Sequence, residues 1–216
     1  DLGKMSYEGR RYKRDLEAAW EARELLNGPI SEYNQRKKSN KERQYRPTKI
    51  ALGGNHFEGR VKRAVELASM LEGTINVEDN RCTDFGWEYI PFLEPITIDG
   101  ITYCHYFQGN GTSKPIGMGK YPAQTLLREK HTSCVMGHNH IFDIANDLNA
   151  REERVWAISA GCYFEHWEEY ANRNNKRWWR GILILDDVRN GEIRSYRAID
   201  LQRVKEIYGY DNTTTN

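Results

Sequence analysis

The chain has 216 residues, 32 Lys and Arg against 31 Asp and Glu, a formal charge of +1, and 38% hydrophobic residues. That balance marks a globular chain instead of a disordered one and excludes any global pull toward nucleic acid or an anionic membrane, and the length suits one domain spanning residues 1–216. No stretch approaches the roughly 18 consecutive apolar residues of a membrane helix and no basic-then-apolar leader opens the chain, so a cytoplasmic location without a membrane partner is expected.

In chain order, a polar stretch from about Tyr7 to Leu26 carries Leu16, Ala19, Trp20 and Leu26 at helical spacing, and Gly28-Pro29 reads as its stop signal. The basic run Arg36 to Arg43 lacks apolar periodicity and is expected as a solvated loop. Ile50-Ala51-Leu52 then reads as a strand broken at Gly53-Gly54, and Val61 to Leu71 as a helix. Further strands are expected at Ile96 to Phe107, Cys134 to Gly137, Val155 to Ala160, Gly181 to Leu185 and Ile193 to Ala198, with a helix near Pro122 to Lys130. Strands interspersed with helices predict a layered α/β domain whose strand-end loops carry the chemistry. The four cysteines, Cys82, Cys104, Cys134 and Cys162, form no close pair and are expected as buried free thiols.

Four of the six histidines fall where a predicted strand ends: His56, His105, His138 and His140. Strand ends on one edge of a sheet converge, so such residues can share a cavity. In Gly137-His138-Asn139-His140 two imidazoles separated by one residue can serve two metal ions, while an isolated His-x-His is more often a surface or hydrogen-bonded pair. Asn55-His56 after Gly53-Gly54 is by itself a turn signal with Asn55 as a candidate helix cap. Taken together, Asn55, His105 and His138 offer a neutral oxygen and two imidazoles, a set suited to a borderline divalent ion such as Mn, Fe, Zn or Ni. His131 and His166 read as structural or surface residues.

These motifs, in this order, resemble those of the calcineurin-like metallophosphoesterases: Gly-Asn-His, then a strand-end His, then Gly-His-x-His. Asp84-Phe85-Gly86-Trp87, Pro91-Phe92-Leu93-Glu94, His105-Tyr106-Phe107, Cys162-Tyr163-Phe164 and Trp178-Trp179-Arg180-Gly181 look like a branch common in bacteriophage genomes, so the likeness runs from about Ser6 to Tyr208. The resemblance implies a four-layer α-β-β-α sandwich, two mixed sheets flanked by helices. It also implies two divalent metal ions as cofactors, with Asn55, His105 and His138 binding one, His140 binding the other, and His56 acting as the catalytic acid. The implied activity is hydrolysis of a phosphomonoester or phosphodiester by a hydroxide bridging the two ions. The phosphate ester substrate extends to nucleotides and nucleic acid, because such a site recognises the phosphate.

The chain departs from that pattern in lacking the Asp-x-His and Gly-Asp-x-x-Asp motifs that supply the remaining ligands. Asp1 stands where the last Asp of the second motif would be, so the first strands are expected to be missing before residue 1, and this chain alone is expected to hold the second ion poorly. Phe57 separates His56 from Glu58, where relatives often place an acid directly after the His. Two other readings compete: a non-catalytic protein of the same fold that binds nucleic acid or a protein partner, and a nucleic-acid module built on Arg36 to Lys49 with Trp178 and Trp179.

Overall fold

In the computed structural model, the structure describes residues 12–209, which form a mixed α/β arrangement of four helices and several small sheets. The chain divides into two compact units, the first ending at Phe92 and the second starting at Leu93.

The first unit opens with helix α1, Tyr12–Ser39. The Tyr7 to Arg11 part of the predicted helix lies outside the described residues. Gly28-Pro29 does not end α1, which runs on for ten residues beyond Pro29, and Arg36, Lys37 and Lys38 form its last turn instead of a loop. A proline inside a helix removes one backbone bond and costs about 3 kcal/mol, so other contacts must hold the helix straight through. Those contacts are polar and regularly spaced. Trp20 Nε1 donates to Asp79 O at 3.0 Å, Arg23 to Asn80 O at 2.7 Å and Asn27 to Phe85 O at 3.0 Å. Beyond the proline, the side-chain amide of Asn34 exchanges two 2.7 Å bonds with the backbone of Tyr45, and Lys37 pairs with Glu42. The returning segment thus fastens the second half of α1. Leu16 is the helix's buried apolar residue, whereas Leu26, expected on the same stripe, is exposed.

Strand β1 (Ile50–Leu52) pairs in parallel with β2 (Glu88–Ile90), a strand too short to show in the pattern, and between them lies α2 (Glu58–Leu67), followed by three single-turn 3₁₀ segments.

The second unit is built on a five-stranded mixed sheet in the order β3-β4-β5-β7-β6, with β3 at Ile96–Ile98, β4 at Ile101–Tyr103, β5 at Cys134–Met136, β6 at Phe142–Leu148 and β7 at Arg154–Ala160. The run expected as one strand from Ile96 is a hairpin. Asp99 and Gly100 take φ of 50° and 79°, the left-handed pair of a type I′ turn, so Ile98 faces Ile101 across the ladder. Gly100 has a second reason to be glycine: a Cβ there would lie 2.5 Å from the backbone of Asn190 and Gly191, the turn of the second hairpin. That hairpin, β8 (Gly181–Arg189) with β9 (Glu192–Asp200), leads directly into α4 (Leu201–Tyr208), whose first turn is capped by Asp200 accepting from Gln202 N at 2.8 Å.

Alternation along the strands sorts side chains to the two faces of the five-stranded sheet. Cys134, Met136, Ala145, Val155 and Ala157 face α3 (Pro122–Lys130), packing on Ala123, Leu126 and Leu127. Val135, Ile158 and Ile101 face the other way, where Ile193, Leu183, Leu185 and Val188 of the β8–β9 hairpin cover them. The unit is therefore layered helix, sheet, sheet. Cys82, Cys104 and Cys134 are buried free thiols as expected, and Cys162 is half-buried.

Candidate metal centre

The candidate residues lie in loops of both units, and each set is built by its own unit. In the first, the chain leaves β1 through Gly53, whose amide extends the ladder by donating to Ile90 O at 2.7 Å. A Cβ at Gly53 would stand 2.5–2.6 Å from Glu58 Oε2, Phe92 N and the Tyr89 hydroxyl, so only glycine lets the backbone pass this close. Asn55 is half-buried and His56 exposed. Asn55 does not cap α2, which begins at Glu58 without a side-chain cap.

The acid displaced by Phe57 is the residue that organises this loop. Glu58 is 1% exposed, and its Oε2 accepts from the Tyr89 hydroxyl and the Phe92 amide, both at 2.7 Å, while Oε1 pairs with Lys62 at 2.6 Å. Burial pushes its carboxyl pKa up, but the bonds from Lys62, Tyr89 and Phe92 outweigh burial and hold it below the ordinary value. A charged carboxylate buried behind Gly53 thus ties the start of α2 to the end of β2. The sequence held one signal of this, an acid at the first helical position.

In the second unit, the loop after β5 is hung from the segment after β4: the amides of Gly137 and His138 both donate to His105 O at 3.2 Å. That backbone link brings the two side chains together, with His138 Nδ1 3.2 Å from His105 Nε2 and the rings edge to face at 5.1 Å. Two imidazole nitrogens about 2.0–2.1 Å from one ion, at an angle near tetrahedral, stand roughly 3.3 Å apart. The observed spacing fits two ligands of one divalent ion, and it equally suits a direct hydrogen bond when one ring carries the proton between them.

His140 has a left-handed φ of 61°, which turns its ring away from the strand direction and into an aromatic pocket, 4.5 Å from the Trp178 ring and 5.2 Å from that of Phe164. Between the two histidines, Asn139 serves as an anchor. It donates to Gly117 O at 2.8 Å and accepts from the Ser159 hydroxyl at 2.5 Å and from Ile141 N at 3.3 Å. Ser159 is fully buried. Motif reading passes over Asn139, because the variable position of Gly-His-x-His shows no chemistry until its partners are seen.

Trp179 packs on Phe142 with rings 4.7 Å apart, and both members of the Trp178-Trp179 pair are half-buried. His131 is the exposed left-handed residue closing α3, and His166 is exposed and bonded to Glu168. Among the described residues, no group of three or more His, Cys, Asp or Glu stands together as a metal site, so a full coordination sphere at His105 and His138 would draw on other oxygen donors, water or substrate. Also among the described residues, no helix is long and apolar enough to cross a membrane. Comparison of the chain with protein-family models, with curated proteins and with solved structures gives no match.

Proposed function

We propose that this chain is a metal-dependent phosphoesterase of the calcineurin-like kind, using two divalent ions on a phosphomonoester or phosphodiester. The observation that carries the proposal is the facing pair His105 and His138, spaced as two ligands of one ion and held there by backbone bonds. The helix, sheet, sheet order of the second unit supports the four-layer sandwich, and the Gly53 to His56 loop carries the Gly-Asn-His motif of the resemblance.

In this proposal His105 and His138 would hold one ion and His140 the other. When bound, such ions act as Lewis acids on phosphoryl oxygen and lower the pKa of water to near neutrality. The protein's own part is positioning. Asn139 fixes the turn between His138 and His140, and Glu58 fixes the loop that carries His56. His56, as an imidazolium protonated at both ring nitrogens, would give one proton to the departing oxygen as the ester bond breaks, leaving a neutral imidazole.

The test has two parts. Calorimetric titration with Mn is expected to show binding that His138→Ala and His105→Ala remove. Hydrolysis of bis-(p-nitrophenyl) phosphate is then followed for the chain alone and for the chain preceded by Asp-x-His and Gly-Asp-x-x-Asp segments. Mn-dependent turnover in the extended form, abolished by His56→Ala, supports the proposal. Absence of both metal binding and turnover in the extended form refutes it and turns attention to the non-catalytic alternative.

A further inference from the structure

The β8–β9 hairpin is a sheet of two strands, and the side of β8 away from β9 is open along most of its length. At its start that side is in use. Cys162 N donates to Trp179 O and Gly181 N to Cys162 O, both at 3.0 Å, so Cys162 begins a parallel ladder that its neighbours do not continue. Backbone groups alternate from edge to edge along a strand, so Leu183 and Leu185, like Gly181, turn their amides and carbonyls away from β9, since the register shift comes only after Leu185. Among the described residues, no strand pairs with them there. Beside this edge runs a groove with Tyr103, Val135 and Ala160 of the five-stranded sheet on one side and Leu183 and Leu185 on the other. An open apolar edge strand is a pairing site, and natural sheets usually cover or charge such edges.

A groove with apolar side chains on its walls and unpaired backbone groups along one lip fits a polypeptide strand, because a lipid tail or an aromatic compound would leave those amides and carbonyls unmet. A second copy of β8 is a poor fit. Cys162 blocks the edge beside Arg180, and the two-fold symmetric antiparallel registers that clear it set Asp186 and Asp187 of the two copies against each other. Within the chain, neither residues 1–11 nor residues 210–216 hold three apolar residues at alternate positions, the pattern such a strand needs. We propose that β8 and its groove take up an extended polypeptide segment from outside these 216 residues, apolar at every second position, which pairs with Leu183 and Leu185 and turns its apolar side chains toward Tyr103 and Val135. This docking does not depend on the phosphoesterase proposal.

The probe is a fluorescently labelled peptide, Lys-Val-Thr-Val-Thr-Val-Lys with blocked ends, whose binding to the whole chain is followed by anisotropy. Two further forms carry N-methyl groups on one or the other alternate set of amides. Methylation of the set that faces β8 should weaken binding at least about 10-fold, and methylation of the other set should leave it unchanged, because only one edge of the added strand meets the ladder. Leu183→Pro removes an outward amide while the bonds to β9 stay, so it should give a similar loss with an unchanged urea transition. The methylated peptides read the unsubstituted chain, so they decide the matter whatever Leu183→Pro does to the fold. Failure of the unsubstituted chain to bind the probe overturns the proposal, as does equal binding of the two methylated forms. Light scattering of the chain alone tests the other occupant: a dimer that Leu183→Pro disperses would assign the edge to a second copy and overturn the proposal as well.

Discussion

Replacing Glu58 separates the role of its shape from that of its charge. Glu58→Ala strips the Phe92 amide and the Tyr89 hydroxyl of their acceptor behind Gly53. A buried donor left without a partner costs about 1–3 kcal/mol, so two such donors set an upper range of about 2–6 kcal/mol. Tyr89 is half-buried as a residue, which sets the expectation in the lower part of that range, about 2–4 kcal/mol. The Lys62 pair adds little, because the lysine side chain is 61% exposed. Glu58→Gln keeps an oxygen where Oε2 accepts both bonds and is expected to cost only about 1 kcal/mol. Urea unfolding followed by circular dichroism measures the difference, and where two transitions resolve, the loss belongs to that of the first unit. The sign of the pH dependence follows from the carboxyl being held below its ordinary value of 4.5. The unfolded chain then binds the proton more readily, so the charged contribution is complete above about that pH and fades as pH falls toward the folded value. The gap between the unsubstituted protein and Glu58→Gln should therefore narrow in acid. A loss below about 1 kcal/mol for Glu58→Ala, or equal losses for the two variants, would refute this account of the loop.

Three further outcomes are expected. Pro29→Ala returns an amide to the interior of α1 and should stabilise the protein by about 1–2 kcal/mol after allowing for the stiffer unfolded chain that proline provides, with a gain in helical ellipticity at 222 nm. Asn139→Ala removes the donor to Gly117 O and one of the two acceptors facing the fully buried Ser159 hydroxyl, which keeps Ile141 O, and should lower stability by about 1–2 kcal/mol in a thermal melt and weaken Mn binding with it; unchanged metal affinity would show that the histidine turn needs no anchor. Burial pushes the Cys134 thiol up to about 12, so at pH 8 it should react with Ellman's reagent more slowly than half-buried Cys162 in the folded protein, and as fast as the others in denaturant.

How far the fold was legible in the sequence depended on how local its causes are. The helix at Pro122 to Lys130 and the strands beginning at Ile50, Cys134 and Gly181 stand where apolar spacing puts them, because each buries its own regular pattern. The type I′ hairpin at Asp99-Gly100 was equally local, yet the longer apolar run around it masked the turn signal. Strand β6 was hidden for the opposite reason. Its sequence Phe-Asp-Ile-Ala-Asn-Asp-Leu is rich in residues that disfavour strands, and its seven paired positions along β7 hold it extended.

Local sequence also determined where the candidate chemistry sits: four histidines at strand ends, a glycine pair before His56, and a Gly-His-x-His turn, all readable because loops that leave strands announce themselves by composition. Three decisions belonged to tertiary structure alone. Helix α1 runs past a proline because Trp20, Arg23 and Asn27 bond to a segment 57–59 residues away, contacts that outweigh a local breaker. Glu58 is a buried carboxylate because its partners, Tyr89 and Phe92, lie more than thirty residues away. His105 and His138 face each other at 3.2 Å because parallel strands β4 and β5 end side by side, a pairing that joins residues 33 apart and that no periodicity encodes.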